Sequence, residues 1–332
     1  MNATPKRIVL AGGSGFLGRI LGKAFVARGD EVAVLTRSPH QRNDCVTEIA
    51  WDGKSPGDWT RVINGSDVVI NLAGKSVDCR YHASNRLAIM ESRVDSTRVL
   101  GQVIGECKQP PALWLNSSTA TIYKHSLDQP MDEAAAIGAT AEVKDAFSIE
   151  VACAWEKVFN EAQTPNTRKV ALRTAMVLGP NGGVFPVLRR LTQLGLGGKM
   201  GNGRQYVSWI HAEDFCRSIE WIMSKTEFYG AVNVAAPHPL PNLEMMRAFR
   251  HLCGIPFGIP ATAWMLELGA FVVRTETELM IKSRRVVPGR LLASGFQFHF
   301  QNMAGALCSI QHTANVGRAK HSHLHRTFFE MP

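Results

Sequence analysis

The chain has 332 residues, 45% of them apolar and 20% charged, and a formal net charge of +9. That length suits about two domains of ~150 residues, or one large α/β unit with an appendage, and the composition is that of an ordinary soluble globular protein with a sizeable core. With no long Lys/Arg run and no aromatic–basic repeat, the positive charge points to a polyanionic small ligand and basic ends, not to specific nucleic-acid binding.

The seven cysteines, at positions 45, 79, 107, 153, 216, 253 and 308, are odd in number and form no CxxC pair. This argues against a disulfide framework or a zinc ribbon and fits a reducing compartment. "MNATPKRIVLAGG" enters a strand almost at once, leaving no room for a signal peptide. The longest apolar stretch, near Trp264 to Val273, contains Glu267 and falls far short of the ~20 residues that span a bilayer. A cytoplasmic protein with no membrane partner is expected.

Taken in chain order, "RIVLAGG" is a buried strand, and "FLGRILGKAFVARG" has helical spacing through Leu17, Leu21, Phe25 and Val26 until Gly29 stops it. "EVAVLTR", "VTEIAWD" and "DVVINLAG" are strands. "NRLAIMESRVDSTRVLGQVIGECK" is a long amphipathic helix, apolar at Leu87, Met90, Val94, Leu100 and Ile104. "PALWLNSS" and "RKVALRTAMVLG" are strands, separated by a polar loop and the helical stretch "FSIEVACAWEKVFNEA". Strands that alternate with helices and read as near-continuous apolar runs imply a parallel sheet covered on both faces.

After residue 180 the rhythm changes. "LTQLGLGGKMGNGRQ" carries five glycines between 195 and 203, a loop able to lie close to a ligand or fold over one. "WIHAEDFCRSIEWIM" is a strand end running into a helix, and "GAVNVAA" is a strand. Helices are expected over Leu243 to Cys253 and Ala261 to Val273. The expected architecture is α/β: a Rossmann-type doubly wound parallel sheet in residues 1–235, a smaller, mainly helical lobe in 236–315, and a basic, His-containing tail in 316–332 without periodicity, read as disordered.

"AGGSGFLG" follows a strand and opens a helix, with Gly12, Gly15 and Gly18 in the spacing GxxGxxG. Gly12 permits a tight turn, Gly15 lets the backbone approach a pyrophosphate, and Gly18 lets the helix pack on the strand. The helix N-terminus offers unpaired N–H groups to the phosphates. Ser14, Phe16 and Leu17 complete the cofactor turn. The second strand ends in Thr36 and Arg37, where an acidic residue would favour NAD; a guanidinium matches a 2′-phosphate, so NADP(H) is the expected cofactor.

With "GGSGFLG", "INLAG", "NSSTATIY" and "LRTAMVLG" in order, the chain resembles the short-chain dehydrogenase/reductase superfamily and its extended branch of epimerases and dehydratases. "WDG", "ESRVDSTRVL", "CAWEK", "GLGGKMGNGRQYVSWIH" and "TELMIKSRRVVPGRLLASGF" narrow the resemblance, over residues 6 to 300, to the atypical epimerase family group with its small C-terminal domain of unknown function. The resemblance implies that Asp52 sits beside the adenine and that Leu72, Ala73 and Gly74 line the cofactor. Arg93 stands where extended members have an asparagine and is expected to bind the cofactor, and Glu156 is expected on the ribose or nicotinamide side.

In active superfamily members a hydroxyl residue, a tyrosine and a lysine cooperate in proton transfer. Here the resemblance puts Thr119, with Ser118 beside it, at the hydroxyl position, Ile149 in the tyrosine slot and Cys153 in the lysine slot. Isoleucine exchanges no proton. The reading is an NADP(H)-binding atypical reductase, an oxidoreductase acting on an unidentified small substrate, with Thr119, Ser118 and Cys153 as candidate catalytic residues. Tyr123, His125 and His211 are further candidate donors. The alternative is a non-catalytic NADPH-sensing or regulatory protein, with a sugar-nucleotide epimerase third. Lys282, Arg284, Arg285 and Arg290 either grip an anionic substrate or form a solvated face. Trp155 and Trp209 are read as core or pocket wall. "HSHLHR" at 321–326 would gather three histidines on one face of a strand, but in a tail it is read as adventitious, and no metal is expected. The sequence leaves the oligomeric state open.

Overall fold

The structure, a computed structural model, describes residues 4–143, 145–261 and 282–327. Seven parallel strands form one sheet: β1 (Arg7–Ala11), β2 (Glu31–Thr36), β3 (Val46–Ala50), β4 (Val68–Asn71), β5 (Leu113–Thr119), β6 (Arg168–Thr174) and β10 (Gly230–Val234). Their spatial order is β10-β6-β5-β4-β1-β2-β3. The order reverses at β1, where Ile8 lies opposite Val32 on one side and Val68 on the other. In open α/β sheets ligands bind at the carboxyl ends of the strands beside such a reversal.

Alternation along the strands divides the core. Ile8 and Leu10 face α1 (Phe16–Arg28) and α6 (Ala212–Ser224), in a cluster with Leu21, Phe25, Phe215 and Ile219. Val9 and Ala11 face the other layer, where Val99 and Val103 of α3 (Ala83–Glu106) and Phe159 of α4 (Ala146–Glu161) meet Trp114. Successive strand side chains point to opposite faces, so a strand covered on both sides must be apolar throughout. Helix α1 stops at Gly29, whose φ of 91° lets its N–H reach the carbonyls of Phe25 and Val26.

The expected strand "RKVALRTAMVLG" is broken at Ala175. Its second part, β7 (Met176–Leu178), leaves the sheet and pairs with β9 (Trp209–His211). That excursion starts a second hydrophobic cluster. In it, Leu178, Phe185 of α5 (Phe185–Gln193) and Trp209 pack with Met246 and Phe249 of α7 (Asn242–Cys253), and with Leu307 and Ile310 of the terminal helix.

The five-glycine loop is not free to fold over a ligand. It is sewn to the segment after α7: Ile259 N–H donates to Gly195 O, Ala261 N–H to Lys199 O and Gly201 N–H to Ala261 O, at 2.8, 2.9 and 2.8 Å. The expected helix over Ala261 to Val273 lies almost wholly outside the described residues. The tail is a second correction: one helix runs from Met303 to Thr327. Missing apolar periodicity reports a segment without a buried stripe, whereas a helix already nucleated by packed residues propagates at little cost. The strand that would align the three histidines is not formed, since the helix runs through them.

Candidate functional site

The carboxyl ends of β1, β2, β4, β5 and β6 define the candidate site. Behind β1, Gly12 has a φ of +72°, and a Cβ there would stand 2.6 Å from Ala73 Cα. Gly12 therefore supplies both a left-handed turn and the close passage of the chain beyond β4. A Cβ on Gly18 would lie 2.1 Å from Gly13 O, so α1 rests directly on the turn. Gly15 is different: the nearest atom to its Cβ position is Gly12 O at 4.0 Å. Its missing side chain leaves open space in front of the helix. No side chain caps the first turn of α1, and no acidic residue stands in it, which keeps its N–H groups and dipole end available to an anion.

Sequence reasoning missed the far wall of this cradle. In the turn after β7, Cβ positions on Gly179 and Gly182 would fall 2.9 and 2.6 Å from the Phe16 ring. The turn closes over Phe16 only because it is glycine. The cluster "GPNGG" after "LRTAMVL" is the signal that could have revealed it.

At the end of β2, Thr36 is buried and its hydroxyl donates to Ser14 Oγ at 3.3 Å, tying the strand to the turn. Arg37 is exposed and has no hydrogen bond or ion pair among the described residues. Asp52 is also exposed; its Oδ1 accepts the N–H groups of Lys54 and Ser55 at 2.8 and 2.9 Å, and these bonds hold the carboxyl below its usual range.

Beyond β4, Leu72 and Ala73 are half-buried and Gly74 is exposed. Asn71 Oδ1 accepts Ala73 N–H at 3.1 Å, while its amide donates to Asn116 Oδ1 at 2.8 Å and Thr97 Oγ1 at 3.1 Å. Trp155 Nε1 donates to the same Thr97 hydroxyl at 2.9 Å, and the side chain is buried. Arg93 reaches across from α3, half-buried, with its guanidinium over Trp155 and beside Gly74.

The hydroxyl pair after β5 divides into two roles. Ser118 is buried and donates to Glu156 Oε1 at 2.5 Å. Thr119 is half-buried; its Oγ1 accepts Thr121 N–H at 3.1 Å, which leaves its own proton to donate outward. Glu156 turns toward β6, where Arg173 Nε and Nη2 bind its two carboxylate oxygens at 2.9 Å each. Arg173 Nη1 donates to Tyr123 Oη at 2.9 Å, and Tyr123 donates to Asn233 Oδ1 at 2.7 Å. Burial works to lower the Arg173 guanidinium, but its bonds to Glu156 outweigh it and raise it overall.

Of the other candidate donors, Tyr123 and His211 are buried and Cys153 and His125 are half-buried. Ile149 is buried, and burial pushes the half-buried Cys153 thiol up, so it is protonated and unreactive near neutral pH. Tyr123 is fully buried. His125 Nδ1 accepts Ser283 N–H at 3.0 Å. His211 caps α6, accepting Glu213 N–H at 3.1 Å, and its ring stacks on Phe300 at 3.8 Å. Burial lowers both histidines below their usual range.

The basic cluster splits apart. Lys282 is buried against Asp145, 2.6 Å away, and donates to Thr121 O at 2.7 Å. Arg284 donates to Thr121 Oγ1 at 2.9 Å. Arg285 lies over Tyr206 and donates to Asp128 O, and Arg290 binds the carbonyls of Tyr229, Ala231 and Glu227. Only the first two adjoin the turn after Thr119.

A family model described as the NAD dependent epimerase/dehydratase family matches residues 8–235, and one described as a domain of unknown function, DUF1731, matches residues 261–310. The epimerase family protein SDR39U1 of Bos taurus is 30% identical over 307 residues, covering 91% of this chain and 98% of that protein. The epimerase family protein YfhF of Bacillus subtilis is 29% identical over 310 residues, covering 91% and 97%. Among solved structures, human epimerase family protein SDR39U1 (isoform 2) with NADPH superposes with a TM-score of 0.79 at 28% identity, covering 92% of this chain and 98% of that one. The glycine cradle, the reversal of strand order beside it and the match over two thirds of the chain agree: the protein belongs to the NAD dependent epimerase/dehydratase family.

Proposed function

We propose that the protein binds NADP(H) and is an oxidoreductase of the atypical short-chain dehydrogenase/reductase type, acting on a small substrate. The observation that carries the reading is the cradle before α1: open space at Gly15, an uncapped helix end, and the unpaired Arg37 at the end of β2. In this reading Gly12, Ser14, Gly15, Phe16, Leu17 and Gly18 hold the pyrophosphate, while Thr36 and Arg37 take the 2′-phosphate. Asp52 borders the adenine, and Leu72, Ala73 and Gly74 pass beneath the ribose. Glu156 acts at one remove, as the anchor of Arg173 and Ser118. The human relative crystallised with NADPH supports the choice of cofactor.

Bound NADPH supplies a hydride. The chain supplies orientation: the Thr119 hydroxyl hydrogen-bonds the carbonyl oxygen and polarises it, and a water supplies the proton that completes the alcohol. With Ile149 in place of a phenol, the step lacks a general acid, a contribution of roughly 100- to 10,000-fold in rate. Proximity to the bound cofactor is a separate term that survives this loss. The test is NADPH oxidation by the purified protein with a panel of carbonyls and activated alkenes, for wild type and Thr119→Val. Turnover that Thr119→Val slows without changing NADPH affinity upholds the oxidoreductase.

The closed state of Ile149, Cys153 and Tyr123 favours a second reading, a protein that senses NADPH without turning it over. Tight NADPH binding with no turnover across the panel selects it.

A further inference from the structure

We infer that Arg93 is the anchor of a substrate oxyanion, so that the small substrate carries a carboxylate or a phosphate beside its reacting centre. This rests on the NADP(H)-dependent reading above and names the substrate class of the same site.

The guanidinium is held before any ligand arrives. Its Nη1 donates to two carbonyls, Lys75 O at 3.1 Å and Ile89 O at 3.0 Å. Its Cζ lies 5.2 Å from the centre of the Trp155 ring, and a Cβ on Gly74 would stand 3.2 Å from that Cζ. The plane is thus fixed between an indole and a glycine. Trp155 is itself held by Thr97.

What remains is the outer edge. Nη2 and Nε have no hydrogen bond, and no carboxylate pairs with Arg93, among the described residues. Neither nitrogen is sealed from solvent. Burial pushes the guanidinium down to about 10, partly opposed by nearby Tyr81 and Cys79. A half-buried cation with no counter-charge is costly unless an anion completes it. Two parallel N–H groups on a fixed plane match a carboxylate or phosphate bidentately.

The cofactor's own anions have other partners. The pyrophosphate belongs at the start of α1, and the 2′-phosphate at Arg37 beyond β2. Arg93 stands across the strand reversal, next to Gly74 beyond β4, on the half of the fold that takes the nicotinamide end of a dinucleotide. An oxyanion gripped there sits beside the carbon that accepts hydride, with Thr119 left for the carbonyl.

Titration calorimetry at low ionic strength, with NADPH-saturated protein and either malonate or inorganic phosphate, tests the anchor without knowledge of the substrate. Binding of malonate identifies a carboxylate site, and binding of phosphate a phosphate site. Arg93→Met should weaken the bound anion by roughly tenfold or more, the scale of charge-assisted hydrogen bonds, while NADPH affinity measured without added anion stays within about threefold. Arg93→Lys keeps the charge without the fork and should recover only part of the anion affinity; equal thermal melting of the variants excludes a folding defect. If neither anion binds the wild type, or both bind Arg93→Met equally, the anchor is wrong. If Arg93→Met loses NADPH affinity, Arg93 serves the cofactor and the inference falls. Failure of wild-type protein to bind NADPH would instead overturn the proposed function.

Discussion

Glu156 and Arg173 meet as a parallel pair between α4 and β6, two hydrogen bonds of 2.9 Å with both side chains about nine-tenths buried. The same carboxylate accepts Ser118, and the same guanidinium donates to Tyr123. With Ser118 and Tyr123, the pair makes a closed polar network.

Truncating one member should therefore be expensive. Glu156→Ala leaves Arg173 buried without a counter-charge, and the expected loss is about 3–5 kcal/mol in urea unfolding. Joint replacement by Glu156→Leu and Arg173→Met should cost less than the sum of the single changes. A single-variant loss below about 1 kcal/mol would show that the pair is not closed as described.

The glycines of the cradle separate folding from binding. Gly18→Ala forces a methyl into Gly13 O and should destabilise the fold by about 1–3 kcal/mol. Gly15→Ala meets open space, so its melting temperature should match the wild type while NADPH affinity falls. Equal NADPH affinity for Gly15→Ala and wild type would place the pyrophosphate elsewhere.

Arg37→Asp replaces a cation by the acid that favours a ribose hydroxyl. NADPH affinity should drop by roughly 10- to 100-fold and NADH affinity should hold or rise, both read by fluorescence titration. An unchanged ratio of the two would remove Arg37 from cofactor choice.

Acid should weaken the fold through two histidines, His211 buried and His125 half-buried. Burial holds His125 and His211 below their ordinary 6.5. Below that value the unfolded chain binds protons that the folded chain refuses, so stability is full above about pH 6.5 and declines as pH falls toward the folded values. His211 faces Glu213 and Asp214, which oppose but do not reverse the effect. His211→Asn keeps a helix cap and should flatten the decline between pH 6.5 and 5 in thermal melts. An identical slope for variant and wild type would take His211 out of the acid response.

Much of the cofactor half was legible in the chain as written. Strand, turn and helix around Gly12 to Gly18 are set by neighbours within a few residues, and a glycine's conformational licence does not depend on distant partners. The apolar runs of β1, β2 and β4 announced a sheet covered on both faces for the same local reason.

The chemistry half was not legible. Glu156, expected on the ribose or nicotinamide side, spends its charge on Arg173; Tyr123 is taken up by Asn233, 110 positions away; Lys282 closes on Asp145 from a remote segment of the chain. Each pairing depends on which strand ends and loops the sheet brings together, and burial then decides whether a charged group stays available or is consumed. The sequence by itself determined the glycine turn of the dinucleotide cradle, because the backbone freedom of its glycines is a local property. Only the tertiary structure decided which polar groups remain open beside it, because their partners come from remote segments that meet only in the folded chain.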